Sequence, residues 1–346
     1  MIEFKLRDGD THRRQCNEWN NLETPKERGD FFTKYGARWT ELARLPYLDL
    51  VRCTVVDPMH NLLLGIVKNQ WYGQWILQGA LRKATTTHGR ELDVIHQFLE
   101  SFESPLWAGK LPLRVGEPAG GSLSADEYKL AAITVLPIII PIVWDMYSEE
   151  ANVDFQKAKL KWEDDKKEYE MAMALWESNA HQDAETGEIQ TGKKRKADGQ
   201  PVPPKKPKVR MQDGEARNFL RLATALKILL SSSIDDEQLE RAQILLEEYL
   251  LGFKELYGES AMKPNQAWAV HIVDQIRDFG PVYSFWTFVS ERLNKLLKNF
   301  NSNGLKGGQM EISMMRSFGR EKQLRTMVYV PFRVLHGLTS TSSFSS

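Results

Sequence analysis

A mainly α-helical protein with a small β component is the fold class that this sequence predicts. Apolar residues recur at three- and four-residue intervals over most of its length, the spacing of helical faces. One run, residues 50–56 (LVRCTVV), has the β-branched density of a strand. Between the periodic stretches stand the breakers Asp57-Pro58, the Gly-rich residues 116–123 (GEPAGGSL) and Gly280-Pro281.

Taken in order, residues 1–35 are polar with scattered aromatics and read as short helices and loops. After the LVRCTVV run, Asp57 suits a helix N-cap and Pro58 the first helical position. Met59, Leu62, Leu63, Ile66 and Val67 then follow at helical spacing, so a strand is expected to hand over to a helix at Asp57. A further helical pattern surrounds Leu92, Ile95, Phe98 and Leu99. The glycines of residues 116–123 lack the preceding strand and following Lys of a phosphate-binding loop. Ser124 and Glu127 have the spacing of a capping box and explain the loop as a helix entry. Residues 131–144 are the most apolar stretch. They fall short of the roughly 20 residues that cross a bilayer, and Pro137 and Pro141 interrupt them, so a buried, kinked segment is expected and no membrane partner.

The composition changes near Ser148. Residues 148–192 hold twelve acids and five bases, with Phe155, Trp162, Tyr169 and Trp176 seven residues apart. That is one aromatic seam on a charged helix. A coiled coil would want a second apolar position in each heptad. Residues 180–213 lack apolar periodicity and read as a disordered linker. Eight bases against one acid fall between 193 and 210, in two clusters: Lys193, Lys194, Arg195 and Lys196, then Lys205, Lys206, Lys208 and Arg210. This pattern predicts a bipartite nuclear import signal, hence a nuclear location and an import receptor as partner; a non-specific polyanion tether would use the same charges. Helical patterns return around Leu220–Leu230, Leu239–Phe253, residues 266–279 and residues 282–300. The organisation is then 1–147, a charged helix and linker over 148–214, a helical region over 215–320, and a tail over 321–346.

Composition excludes several classes. The chain has 346 residues, 42% of them hydrophobic, which is enough for a real core. Its 46 basic and 46 acidic residues cancel, so any nucleic-acid binding must come from local charge. Cys16 and Cys53 form no CxxC pair, which excludes a Cys-rich zinc ribbon.

Two constellations carry possible chemistry. Asp57 and His60 can face each other around a first helical turn, where carboxylate and imidazole bind metal or position phosphate; a plain Asp-capped helix shows the same spacing. Glu291, Asn294, Lys295 and Lys298 share one helical face, opposite Leu293, Leu296, Leu297 and Phe300. A solvated face explains this too. The sharper reading is a metal-binding carboxylate among phosphate-binding bases, Arg292, Lys295 and Lys298, as two-metal phosphodiester chemistry requires.

Residues 44–52 (RLPYLDLVR), 57–65 (DPMHNLLLG) and 115–128 (VGEPAGGSLSADEY) resemble transposases of CACTA (En/Spm-type) elements, especially the basidiomycete forms. So do His271, Gln275-Ile-Arg277, Phe279-Gly-Pro281, Phe285-Trp286, Glu291-Arg-Leu-Asn-Lys295 and Lys298, which resemble an uncharacterised domain C-terminal to the transposase core. The resemblance implies an RNase H-like catalytic core interrupted by a helical insertion. It implies a triad of two Asp and one Glu holding Mg²⁺ or Mn²⁺, with transposon-end DNA as partner. Glu291 is then the triad Glu and the metal ligand, while Asp57 and His60 form the supporting Asp-x-x-His motif. The chain departs from the family pattern in three ways. No strand meander precedes Leu50, so both triad Asp residues are expected to lie before Met1. No terminal-repeat-binding zinc module is seen, and residues 151–215 match nothing in the family. Stable metal binding and unaided cleavage are therefore not expected.

Three functions compete: a fragment or degenerate copy of a DDE-type transposase, a non-enzymatic nuclear DNA- or protein-binding protein derived from one, and a metal-dependent nuclease built from Asp49, Asp57 and Glu291.

Overall fold

The computed structural model describes residues 7–105, 108–185, 201–298 and 309–339. The chain is mainly α, and among the described residues there is no strand. It divides into two compact units, residues 1–285 and 286–346.

The first unit is built around a helix that winds wide, in the i→i+5 register, over Met59–Val67 and again over Asn69–Ile76. Met59, Leu63, Val67, Trp71 and Trp75 are buried at a constant interval of four. Leu62, Ile66 and Gln70 are buried beside them, so the helix is covered over a broad face. Trp75 is the hub, with its ring centroid 5.0 Å from those of Trp144 and Phe219.

Against this helix packs a second one that starts at Ala125 and continues through Ala131–Val135 into Leu136–Glu185. Its entry is the expected capping box: Ser124 Oγ accepts from Glu127 N, and Glu127 Oε2 accepts from Ser124 N at 2.6 Å. Proline lacks the N–H of the i→i−4 bond and crowds the carbonyl four residues back. The wide turn Ala131–Val135 precedes Pro137, and the helix runs on through Pro137 and Pro141. The apolar run 131–144 is therefore part of a much longer helix, one long and apolar enough to cross a membrane by length and composition alone. Its inward residues Ala132, Val135, Leu136, Ile139, Ile140 and Val143 are core, while Ile138, Ile142 and Met146 are exposed.

Helices Glu215–Leu229 and Asp236–Tyr257 pair to close the core, with Phe219, Leu222, Leu226, Tyr249 and Phe253 buried. Helix Glu91–Ser101 adds Leu92, Ile95 and Leu99, as its spacing predicts. The N-terminal helices Gly9–Asn20 and Pro25–Tyr35 form a satellite cluster around Cys16, Ala37 and Ala43.

Two expectations are corrected. Residues 50–56 are turn and extended chain, not strand, and they are half-buried or exposed rather than covered on both faces. β-propensity needs a partner strand to express it, and Asp49 folds the run into a turn by accepting from Val51 N and Arg52 N. Residues 201–213, expected to be disordered, lie against the body. Trp162 Nε1 donates to Pro204 O at 3.0 Å, Met211 is fully buried, and Gln212 Nε2 donates to Leu256 O at 2.7 Å.

The second unit contains helices Phe288–Lys298 and Gln309–Thr339. The helix over 309–339 enters the stretch read as a tail, whose last residues, 340–346, lie outside the described ones.

Candidate functional site

Asp57 caps the wide helix as its sequence position predicts. Its backbone O accepts from Asn61 N at 2.9 Å, its Oδ2 from His60 N at 3.0 Å, and its Oδ1 from Met59 N at 3.3 Å. His60 Nδ1 lies 2.5 Å from the same Oδ2. The Asp57 side chain is mostly covered while the imidazole is about half exposed, at 16% and 52%. The first turn of the helix thus presents a carboxylate with a solvent-facing imidazole, and the carboxylate oxygens already serve the helix N-terminus.

The extended residues before Asp57 are tied to the block beginning at Pro264. Gln275, on helix Ile272–Phe279, accepts from Val56 N at 2.8 Å and donates to Thr54 O at 3.2 Å. One side-chain amide thereby satisfies two backbone groups that a neighbouring strand would otherwise have met. Arg52 grips Asp278 through two donors, one of them Nε at 2.7 Å. That pairing holds the Asp278 carboxyl below its ordinary value. Asn61 Nδ2 donates to Asn265 O at 3.1 Å. Gly65 permits the approach, since a Cβ there would lie 2.4 Å from Asn265 Nδ2. Residues more than 200 positions apart in the chain therefore form one junction. Of its residues, sequence reasoning had singled out Asp57, His60 and Gln275. The Arg52–Asp278 pair and Asn265 carried no signal, because a single ion pair between distant segments has no periodicity.

The remaining predicted residues fall elsewhere. Glu291, Arg292, Lys295 and Lys298 are exposed on helix Phe288–Lys298 of the second unit, as are Leu293 and Leu296. Lys193, Lys194, Arg195 and Lys196 lie outside the described residues. Lys205, Lys206 and Lys208 are exposed, whereas Arg210 is committed to an ion pair with buried Glu91.

The donors at Asp57 do not fit Mg²⁺ or Mn²⁺. Such ions want several oxygen ligands in octahedral geometry. Asp57 offers oxygens engaged by two backbone N–H groups and an imidazole. Asp49, the other carboxylate of the nuclease reading, is spent on its own turn. Among the described residues no three His, Cys, Asp or Glu side chains gather to hold a metal.

No family model, curated protein or solved structure matches this chain.

Proposed function

We propose that the chain is a fragment or degenerate copy of a DDE-type DNA transposase of CACTA elements, one that does not cut DNA by itself. In this reading the helical body is the insertion of an interrupted RNase H-like core, and the Asp57–His60 turn is the motif that follows the second catalytic Asp. The observation that carries it is the junction. The motif-bearing stretches around residues 50–65 and 264–279 meet through Gln275, Asn265 and Asp278, as two pieces of one site would. Transposon-end DNA is the partner, met by Arg292, Lys295 and Lys298, and Lys193–Lys196 with Lys205, Lys206 and Lys208 engage an import receptor that delivers the chain to the nucleus. Glu291 is the residue of the parent triad.

A second reading, a non-enzymatic nuclear DNA- or protein-binding protein derived from a transposase, is favoured by the saturated oxygens of Asp57. Genomic flanks separate the two. An in-frame upstream β-meander with two Asp residues, inside inverted CACTA termini, is expected for the transposase; flanks with neither overturn it. Purified chain is expected to leave supercoiled plasmid intact with Mg²⁺ or Mn²⁺. Metal-dependent nicking that disappears in Glu291→Ala overturns the inactive assignment.

A further inference from the structure

Residues 201–210 (PVPPKKPKVR) lie against the first unit without forming helix or strand. Pro201, Pro203, Pro204 and Pro207 have no N–H to give to a helix or a ladder. Each proline also biases the residue before it to extended backbone. Pro201, Pro204, Pro207 and Arg210 are half-buried, while Val202, Pro203, Lys205, Lys206 and Lys208 are exposed. Cover at every third residue is the period of a polyproline helix. The segment is thus a strap that turns one edge to the body and its lysines to solvent.

Two anchors hold the strap, and they differ in strength. At one end Arg210 Nη1 donates to buried Glu91 at 2.5 Å and to Ala80 O at 3.2 Å. Met211 is fully buried there, and Gln212 Nε2 donates to Leu256 O at 2.7 Å. At the other end Trp162 Nε1 donates to Pro204 O at 3.0 Å. Trp162 is half-buried on helix Leu136–Glu185, between exposed Lys161 and Asp164, so water is close by. A charged pair beside a buried side chain outlasts one neutral hydrogen bond near water. The strap therefore opens from Trp162 and hinges at Arg210. Closing it again orders little, because a proline-rich chain is extended before it docks. The acids of residues 148–192, twelve against five bases, draw the lysines back toward the helix.

A receptor that reads an extended peptide in a groove meets its backbone as well as its side chains. In the docked strap the Pro204 carbonyl is taken and every third residue faces inward. Such a groove cannot close around it. We propose that Trp162 is the catch of an autoinhibitory strap: residues 201–208 are closed to an import receptor while docked, and open to it once the Trp162 bond breaks. This rests on the reading of Lys205, Lys206 and Lys208 as import residues. The observed affinity is then the intrinsic one reduced by the open fraction. A flat polyanion such as DNA needs no opening, since the lysines already face outward.

The test compares the full chain with its Trp162→Phe form, which keeps a ring and loses the donor. Each is titrated with an import receptor for basic peptides by biolayer interferometry. Each is also digested with trypsin, and cleavage after Lys205 and Lys208 is followed by mass spectrometry. Trp162→Phe is expected to bind the receptor about three- to tenfold more tightly and to be cut faster by a similar factor, the effect of one lost neutral hydrogen bond on the closed state. A peptide of residues 190–212 tests the import reading separately. If it fails to bind the receptor, that reading falls, and the trypsin rates alone decide whether Trp162 holds the strap. If it binds, unchanged receptor affinity in Trp162→Phe overturns the proposal, with or without faster cleavage. So does tighter binding of a DNA duplex by the parent chain than by Trp162→Phe, which would make the docked lysines a DNA surface.

Discussion

Two glutamates in the first unit are buried to nearly the same degree and answer burial in opposite ways. Glu91 is fully covered and sits in a cage of cations. Arg82 reaches it through Nε at 3.2 Å and Nη2 at 2.8 Å, Arg210 through Nη1 at 2.5 Å, and Arg82 N adds a backbone bond at 3.0 Å. Burial is the largest influence on it and pushes its pKa up, yet the bonds from Arg82 and the charge of Arg210 carry it below the ordinary value. Glu215 has no ion pair among the described residues, and burial wins. The difference shows what a buried carboxylate in this fold is for. Glu91 is a clasp that joins Arg82 to the basic segment at Arg210, and Arg82 in turn reaches Glu150. Glu215 is a carboxyl buried beside Tyr257, Gln212 and Trp75 with no cation to offset it, at a cost in stability.

Breaking the clasp should have the largest effect. Arg82→Ala leaves Glu91 buried with half its partners, and removing one member of a buried pair costs about 3–5 kcal/mol. A chemical-denaturation midpoint measures it. A loss under about 1 kcal/mol would mean that Arg210 alone compensates Glu91. Arg210→Ala should cost less and expose residues 201–213 to protease, because the segment loses its anchor while Met211 stays buried.

The two carboxyls should also pull stability in opposite directions with pH. Glu215 has a folded value of about 7 against 4.5 unfolded. The folded state therefore binds the extra proton between those values, and its stabilising contribution, complete below about pH 4.5, is lost as pH rises through 7. The full span is about 3 kcal/mol. Glu91, with a lowered folded value, contributes above its unfolded value and loses that contribution as pH falls through the folded one. Stability measured from pH 4 to 8 should decline on the neutral side, and Glu215→Gln should flatten that decline. A neutral limb unchanged by the substitution would show that Glu215 is not the titrating group.

A neutral amide provides the intermediate case. Gln275→Ala strands Val56 N and Thr54 O, both held by that one side chain. Thr54 is exposed and Val56 half-buried, so water replaces part of what is lost, and the cost should be that of an ordinary hydrogen bond or two, about 1 kcal/mol. Faster amide exchange at Val56 together with lower global stability is expected; fast exchange without lower stability would make the junction a local latch.

The helices were legible because their apolar faces recur at a fixed interval. The capping box at Ser124–Glu127 and the cap at Asp57 were legible because each is local, set by residues three apart. The strand expected at residues 50–56 failed because its propensity depends on a neighbour that this chain does not place there; Gln275 takes that role from 219 residues away. The ordered basic segment escaped notice for a similar reason. An extended chain pinned by Arg210 and Met211 leaves no periodic trace. The wide winding of Met59–Val67 and Asn69–Ile76 was not legible, because Met59, Leu62, Leu63, Ile66 and Val67 fit ordinary helical spacing equally well. Glu215 carried no signal in the sequence, because Tyr257 and Trp75, which stand beside it, come from segments that sequence order keeps apart.

Asp57 should show the smallest effect and settles what its carboxylate contributes. It meets its imidazole at the surface, with His60 half exposed, so solvent and salt screen the pairing. Its contacts with Met59 N and His60 N are those of an N-cap, whose loss costs about 1 kcal/mol. Asp57→Ala should therefore lower stability by about that amount. Asn caps as well as Asp, so Asp57→Asn should stay within about 0.5 kcal/mol of the parent chain. If Asn instead loses as much as Ala, the charge itself is what the site holds. Asp57 and His60 would then act as a couple, and the turn would belong with the clasp at Glu91 rather than with the ordinary caps of this fold.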